Sequence, residues 1–340
     1  MMKRHFALLP LLAVLLAACA PGTVDHEQIS AAQRTVARFN HVTAENSPKH
    51  LAAVRFADAA AKRLGERVEI QVYANSQLYK DGEDMIALQK GAIQFIAVAP
   101  SKLTEFDSEW QVFDLPYLFS SFADVERLYN SPIGLRMREN LEAKGLVALA
   151  IWPNGFMQFT NNRHPLVAPG DFSGLAFRIQ AEQVLQDQYR ALGARAVVNS
   201  FHTVYADIEK GQLDGQENTF NNIYTRNLQR LQPFLTISNH GYLAYVVLTQ
   251  ARWWQSQNPE VRQALLESIQ EATLWIRENA DAINQAALAK IIASGVQVRT
   301  LSSDERKVLQ TAFVPVYRNV EKRLGPDFLA QVLSTVRPGP

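Results

Sequence analysis

Arg178 stands in the stretch Asp171 to Gln180, flanked by Phe177 and Ile179, where the aromatic and β-branched pattern predicts a buried strand. A guanidinium does not deprotonate, so one held among apolar neighbours needs an anion or a full set of acceptors. Two readings stand at this point. One is a structural salt bridge with a carboxylate of the chain. The other is a cleft arginine whose planar fork grips a ligand carboxylate through two parallel hydrogen bonds. Other chemistries have little support. The chain has no Gly-x-Ser-x-Gly elbow, no His-Glu-x-x-His metal motif and no Gly-rich phosphate loop. Its 7 histidines show no metal-ligand spacing, and a single cysteine makes neither a zinc cluster nor an internal disulfide. Scattered Ser, His and Asp residues leave a hydrolytic triad open on sequence alone.

With 340 residues, 47 % hydrophobic and 20 % charged, the chain is ordinary globular material, long enough for two lobes. A formal net charge of +1 gives no sign of a nucleic-acid surface or a polybasic membrane patch. Lys3 and Arg4 followed by the apolar run Phe6 to Ala18 read as a secretory signal, too short to span a bilayer comfortably. The run ends in Leu16, Ala17, Ala18 and Cys19, which resembles the bacterial lipoprotein box. Residues 1–19 are therefore expected to be a signal peptide, with Cys19 lipidated. Residues 20–34 are expected to be a polar tether, and the body to lie in the periplasm. A plain secretory signal cut nearby is the alternative.

The elements that must position Arg178 follow from hydrophobic periodicity. Strands are expected at Thr35 to Val42, Val68 to Tyr73 and Ile93 to Val98. Helices are expected from Lys49, with Leu51, Val54, Phe56 and Leu64 as apolar positions, and at Glu83 to Gly91. This alternation argues for a parallel α/β sheet with ligands off the carboxyl ends of its strands. Helices near Phe122 to Leu128 and Ile133 to Lys144 and a strand at Leu146 to Trp152 come next. A second set then begins, with strands at Met157 to Thr160, around Arg178, at Arg195 to Val198 and at Leu213 to Gln216. It carries helices at Glu182 to Leu192 and Thr203 to Lys210. Strands at Phe234 to His240 and Tyr242 to Thr249 return the chain to the first lobe. Pro259 to Ala293 reads as one long helix or two, and Ser302 to Val336 is helical. The expected architecture is a two-lobe, periplasmic-binding-protein-like α/β fold with a central ligand cleft and a long connecting helix. Lobe I takes 35–153 plus about 244–283, and lobe II takes 154–243 plus about 284–337.

Six motifs occur in order along the chain: Asn75 to Lys80, Phe113 to Pro116, Asn154 to Phe156, Phe177 to Gln180, Asp214 to Asn218 and Ser238 to Leu243. Together they resemble the extracytoplasmic solute-binding proteins of tripartite ATP-independent periplasmic (TRAP) transporters, over a similarity running from Ala37 to about Arg337. The His240-Gly241-Tyr242 block is similar to that of the dicarboxylate-binding members. The resemblance implies a small organic-acid ligand, a membrane permease as partner, no cofactor, no metal, no catalytic residue and a monomer. It implies that Arg178 grips a ligand carboxylate. Lys49, at the start of the first helix, is then the candidate for the second anionic end, against a solvated helix-start lysine.

Further candidates are His41 as a donor, Asn218 and Asn222 as amides for carboxylate or hydroxyl, and Ser76 and Gln77 as donors from the first lobe. Each has an ordinary reading beside it, as a structural histidine, a turn or a cap. His240 and Tyr242 either line the cleft or brace the hinge, and Trp152 and Phe156 are expected as cleft wall and hinge packing. Thr219 and Asn40 depart from the residues common in the family, where proline and serine are frequent, which puts the particular dicarboxylate in question. A receptor for a monocarboxylate or a keto or hydroxy acid, a sensor presenting its ligand to a membrane receptor, and a periplasmic hydrolase are the alternatives.

Overall fold

The computed structural model describes residues 34–337; the signal peptide, Cys19 and nearly all of the tether lie outside the described residues. The chain runs through β1 (Thr35–Asn40), α1 (Pro48–Leu64), β2 (Val68–Tyr73), α2 (Glu83–Gln89), β3 (Phe95–Val98), α3 (Phe122–Asn130), α4 (Pro132–Ala143) and β4 (Leu146–Phe156). It continues with β5 (Gln158–Asn161), β6 (Ala176–Ile179), α5 (Gln183–Ala191), β7 (Arg195–Val198), α6 (Val204–Glu209), β8 (Gly215–Asn218), α7 (Phe220–Thr225), β9 (Phe234–Ile237) and β10 (Tyr242–Gln250). It ends with α8 (Ala251–Ser256), α9 (Pro259–Ala293), β11 (Gln297–Thr300), α10 (Ser303–Ala312), α11 (Val314–Leu324) and α12 (Pro326–Val336).

Two sheets result, ordered β2-β1-β3-β10-β4 and β11-β9-β5-β8-β6-β7. The first three strands pair in parallel, as the alternation of elements predicts. β10, however, is antiparallel to both β3 and β4, so the sheet is mixed. The second sheet repeats the plan: β6 is parallel to β7 and β8, while β5 is antiparallel to β8 and β9. The antiparallel strands β4, β5, β9 and β10 carry the chain between the sheets, through Phe156 to Gln158 on the way out and Ile237 to Tyr242 on the way back.

α9 is a single element of 35 residues. At 1.5 Å per residue it is about 50 Å long. Its first half packs on α1 and β4, and its second half on α7. In the second half, Asn284 Nδ2 donates to Asn154 O of the crossing strand, and Asn284 Oδ1 accepts from Asn221 N at 3.0 Å. Among the described residues no helix is long and apolar enough to cross a membrane. The C-terminal helices fasten to both halves, α11 on α5 and α12 on α3.

α1 shows how sequence makes an element here. Ser47 caps it by accepting from His50 N, Pro48 occupies its first turn, and Gly65 at φ +56° ends it. Its buried stripe is the expected one in part: Phe56 and Leu64 are buried as expected. Leu51 and Val54 are half-exposed, and the core face is Ala52, Ala53, Phe56, Ala59, Ala60 and Leu64, where small residues let the helix lie close to α9 and the sheet. Lys49 belongs to that buried face, one turn ahead of Ala52 and Ala53.

Candidate functional site

The loops that leave the carboxyl ends of the parallel strands converge between the sheets. Val42 follows β1, Asp81 follows β2, Ala99 and Lys102 follow β3, Gln180 follows β6, Phe201 follows β7, and Asn218 closes β8. They enclose a cavity of about 40 Å³. A water needs about 10–15 Å³ measured this way, so the space holds roughly three waters or one small molecule. Three cations, Lys49, Lys102 and Arg178, and two carboxylates, Asp81 and Asp84, line it.

Arg178 is 5 % exposed. Its Nε donates to Asn199 O at 2.9 Å, which fixes the guanidinium plane from within the second sheet's own loop. Its Nη2 has no hydrogen-bond partner and lies 3.5 Å from Asp81 Oδ2, beyond a good bond. Burial pulls its pKa down, and the charges of Asp81 and Glu217 push back. A buried donor left over on a guanidinium whose Nε is pinned is an anchor for an anion.

Lys49 is 1 % exposed, with Nζ donating to Ala97 O at 3.0 Å and lying 3.6 Å from the centre of the Tyr245 ring. Burial lowers its pKa to about 7, against the opposing pull of Asp84 and Asp81. Asp84 is raised to about 6, by burial first and by Asp81 second. Asp81 moves the other way. Burial acts to raise it, but Lys102, the Phe201 N–H and Arg178 outweigh that and leave it below the ordinary carboxylate range. Asn222 Nδ2 donates to Asn218 Oδ1 at 2.7 Å and to Tyr245 Oη at 3.3 Å, which locks both amides against the cavity wall.

Of the residues singled out from sequence, Arg178, Lys49, Asn218 and Asn222 come together on this cavity. The others do not. His41 is fully buried, with Nε2 3.0 Å from His50 Nδ1 and Nδ1 3.2 Å from Thr43 Oγ1, so both its nitrogens are engaged away from the cavity. Burial and the Lys49 charge hold its pKa well below the usual value. Ser76 and Gln77 form a turn held by Ser76 N to His41 O and Gln77 N to Ala74 O, with Gln77 in solvent. Trp152 is core rather than wall: it stacks on Phe39 with ring centres 5.9 Å apart, and its Nε1 donates to Thr273 Oγ1 at 2.8 Å.

His240 and Tyr242 line a neighbouring cavity of about 20 Å³, with Asp114 and Glu217. His240 Nε2 lies 2.6 Å from Glu217 Oε2 and Nδ1 lies 2.7 Å from Ser238 Oγ, both at hydrogen-bond distance, and the ring stacks on Phe159 at 3.7 Å. Tyr242 packs between Phe122 and Phe156, on the crossing strands. A third cavity, about 560 Å³, lies beside those strands near Phe156, Tyr242 and Arg277, and there Arg277 is already paired with Glu126 at 2.9 Å.

Sequence reasoning missed Asp81, Asp84, Lys102, Phe201 and Tyr245. The signal available was position: the first four sit in loops at strand carboxyl ends or in the first turn of the helix that follows, where α/β sheets place ligands. Tyr245 lies inside β10 and carries no such mark.

Two α/β lobes joined by crossing strands and a long helix, with buried cations around a small space between them, define a solute-binding protein. The chain belongs to the bacterial extracellular solute-binding protein family 7, DctP, whose model matches residues 39–323. It is a TRAP-type binding protein, and its relatives are binding proteins rather than enzymes. It is 38 % identical over 310 residues to the C4-dicarboxylate-binding protein DctB of Bacillus subtilis (strain 168), covering 91 % of this chain and 89 % of that one. A TRAP periplasmic solute-binding protein of Shewanella oneidensis, solved with bound succinate, superposes with TM-score 0.86 at 33 % identity, over 89 % of this chain and 100 % of that one. The sugar acid binding protein DctPAm of Advenella mimigardefordensis, in complex with galactonate, superposes with TM-score 0.86 at 27 % identity, over 89 % of this chain and 98 % of that one.

Proposed function

We propose that this protein is an extracytoplasmic receptor that captures a four-carbon dicarboxylate between its lobes and delivers it to a TRAP membrane permease. The observation that carries the reading is the pair Arg178 and Lys49, both buried, one on β6 of the second lobe and the other in the first turn of α1 of the first, on a cavity of about 40 Å³. Lys102 is committed to Asp81 at 3.1 Å, which leaves Arg178 and Lys49 as the two cations for the two ends of a diacid. The DctB and succinate-bound relatives agree with that ligand class. Contacts from both lobes supply the differential affinity by which a ligand favours the closed form. Residues 35–153 with about 244–283 make one moving body, and 154–243 with most of the remainder make the other. The protein works as a monomer in the periplasm, anchored through a lipid on Cys19.

One observation favours a second reading. Asp81 and Asp84 leave the lining with a single positive charge in excess and offer acceptors for hydroxyl groups, which suits a small hydroxy monocarboxylate; the galactonate-bound relative is of this kind. Thermal denaturation against succinate, L-malate, fumarate and a series of hydroxy monoacids separates the two. At about 100 times its dissociation constant a ligand adds roughly 2.7 kcal/mol of stability. The diacids are expected to raise the midpoint in the wild type and not in Arg178→Ala. A shift with monoacids alone overturns the dicarboxylate reading, and no shift with any acid overturns the receptor reading.

A further inference from the structure

Asp81 is a carboxylate of the first lobe whose hydrogen bonds reach the second. It stands in the loop between β2 and α2, with a side chain 10 % exposed. Oδ1 meets Lys102 Nζ of its own lobe at 3.1 Å. Oδ2 accepts from the backbone N–H of Phe201, in the loop after β7 of the other lobe, at 3.0 Å, and lies 3.5 Å from Arg178 Nη2. The same loop supplies the carbonyl of Asn199 that pins Arg178 Nε, and the Phe201 ring sits 5.7 Å from the guanidinium. Arg178, Asn199 and Phe201 therefore form one unit on the second lobe, and among the described residues Asp81 is the first-lobe side chain that hydrogen-bonds it, beside the Ser101 Oγ bond to Gln180 at 3.0 Å.

We propose that Asp81 is the closing latch of the cleft: its bond to Phe201 N–H ties the lobe that carries Arg178 to the opposite lobe and governs how fast a bound ligand leaves. Separating the lobes breaks the bond to Phe201 and takes Arg178 away from its nearest anion, while Lys102 stays with Asp81. Lys102 is thus the group that keeps the carboxylate charged and aimed in both positions. Asp81 acts on the ligand through Arg178, as a positioning residue. The other charged groups near it are Lys49 and Asp84, on the same cavity. Removing Asp81 has two opposed effects, loss of the latch and loss of a negative charge beside an anionic ligand. The geometry favours the first, because Asp81 makes two good hydrogen bonds and stops 3.5 Å short of the arginine.

The test uses the whole protein and two variants. Asp81→Ala removes both charge and acceptor, and Asp81→Asn keeps an oxygen for Phe201 N–H. Amide hydrogen exchange at Phe201, read without any ligand, is expected to speed up about tenfold or more in Asp81→Ala and less in Asp81→Asn. Stopped-flow dissociation of succinate or L-malate is expected to quicken about tenfold in Asp81→Ala while association changes little. Unchanged exchange at Phe201 overturns the latch. Faster exchange with unchanged or slower ligand release overturns its link to the ligand, because loss of a repulsive charge would then dominate. This proposal rests on the cleft as the ligand site. Should no acid bind the wild type, that reading fails, and the exchange measurement still decides the latch.

Discussion

Raising the pH from about 6 to about 8 should weaken diacid binding roughly tenfold, with Lys49 as the cause. Its pKa is lowered to about 7 because the ammonium is buried, with one carbonyl and one aromatic face for company. A diacid already ionised at both ends favours the charged form, so the protein must carry that proton when the ligand binds. With a pKa of about 7 the protonated fraction falls from about nine-tenths at pH 6 to about one-tenth at pH 8, and the apparent affinity falls with it. The effect on folding has the opposite sign. Between about 7 and the ordinary value of 10.5 the unfolded chain holds a proton that the folded protein lacks, so stability without ligand rises with pH across that window. Titration calorimetry with L-malate at several pH values, in two buffers of different ionisation heat, reads both the dissociation constant and the proton taken up, expected near one half at pH 7. Asp84, raised to about 6, adds to the trend on the acid side, and Asp84→Asn separates its part. A flat dissociation constant from pH 6 to 8, or a slope that survives Lys49→Met, would refute the reasoning.

Arg178→Ala should cost roughly 2–5 kcal/mol of ligand binding, partly from leaving a ligand charge unpaired, and Arg178→Lys should also be damaging because a point charge cannot reproduce the fork; calorimetry reads both. Gly155 sits at φ +145° on the crossing strand, and an added Cβ would lie 3.0 Å from Asn284 Nδ2, so Gly155→Ala should lower stability by about 1–3 kcal/mol in denaturant titration. An unchanged midpoint there would mean that the crossing has slack. Cys19→Ala should move the protein from the membrane fraction to the soluble one, and unchanged fractionation would count against the lipid anchor.

Much of the fold is legible residue by residue. The strands at β1, β2, β3, β7 and β10 follow apolar and β-branched runs, and the return of β10 to the first sheet follows from its length and apolar character. The short strand β11 and the helix α7 leave no mark in the sequence pattern, because Gln297–Thr300 is mostly exposed and Phe220–Thr225 is only 6 residues long, too little for a periodic signal. The buried face of α1 is only partly legible, at Phe56 and Leu64, for a related reason. Alanines carry almost no hydrophobic signal, yet they let α1 lie close to its neighbours.

For the site, the sequence by itself determined that an arginine stands inside an apolar strand and needs an anion or a full set of acceptors, and the order of its motifs placed that arginine in a family of receptors. Residue type and chain position carry that much, because a guanidinium in an apolar run demands an anion wherever the run folds. Tertiary structure alone decided which polar groups share its space. His41 and Lys49 are 8 positions apart and both stand as candidate donors on sequence, yet one turns to His50 and Thr43 and the other to Ala97 and Tyr245. Asp81 and Phe201 are separated by 120 residues, and the bond between them joins the loop after β2 to the loop after β7, on different sheets. Local sequence sets which backbone a side chain hangs from; the packing of distant strands sets which cavity that side chain faces, and hence what it can bind.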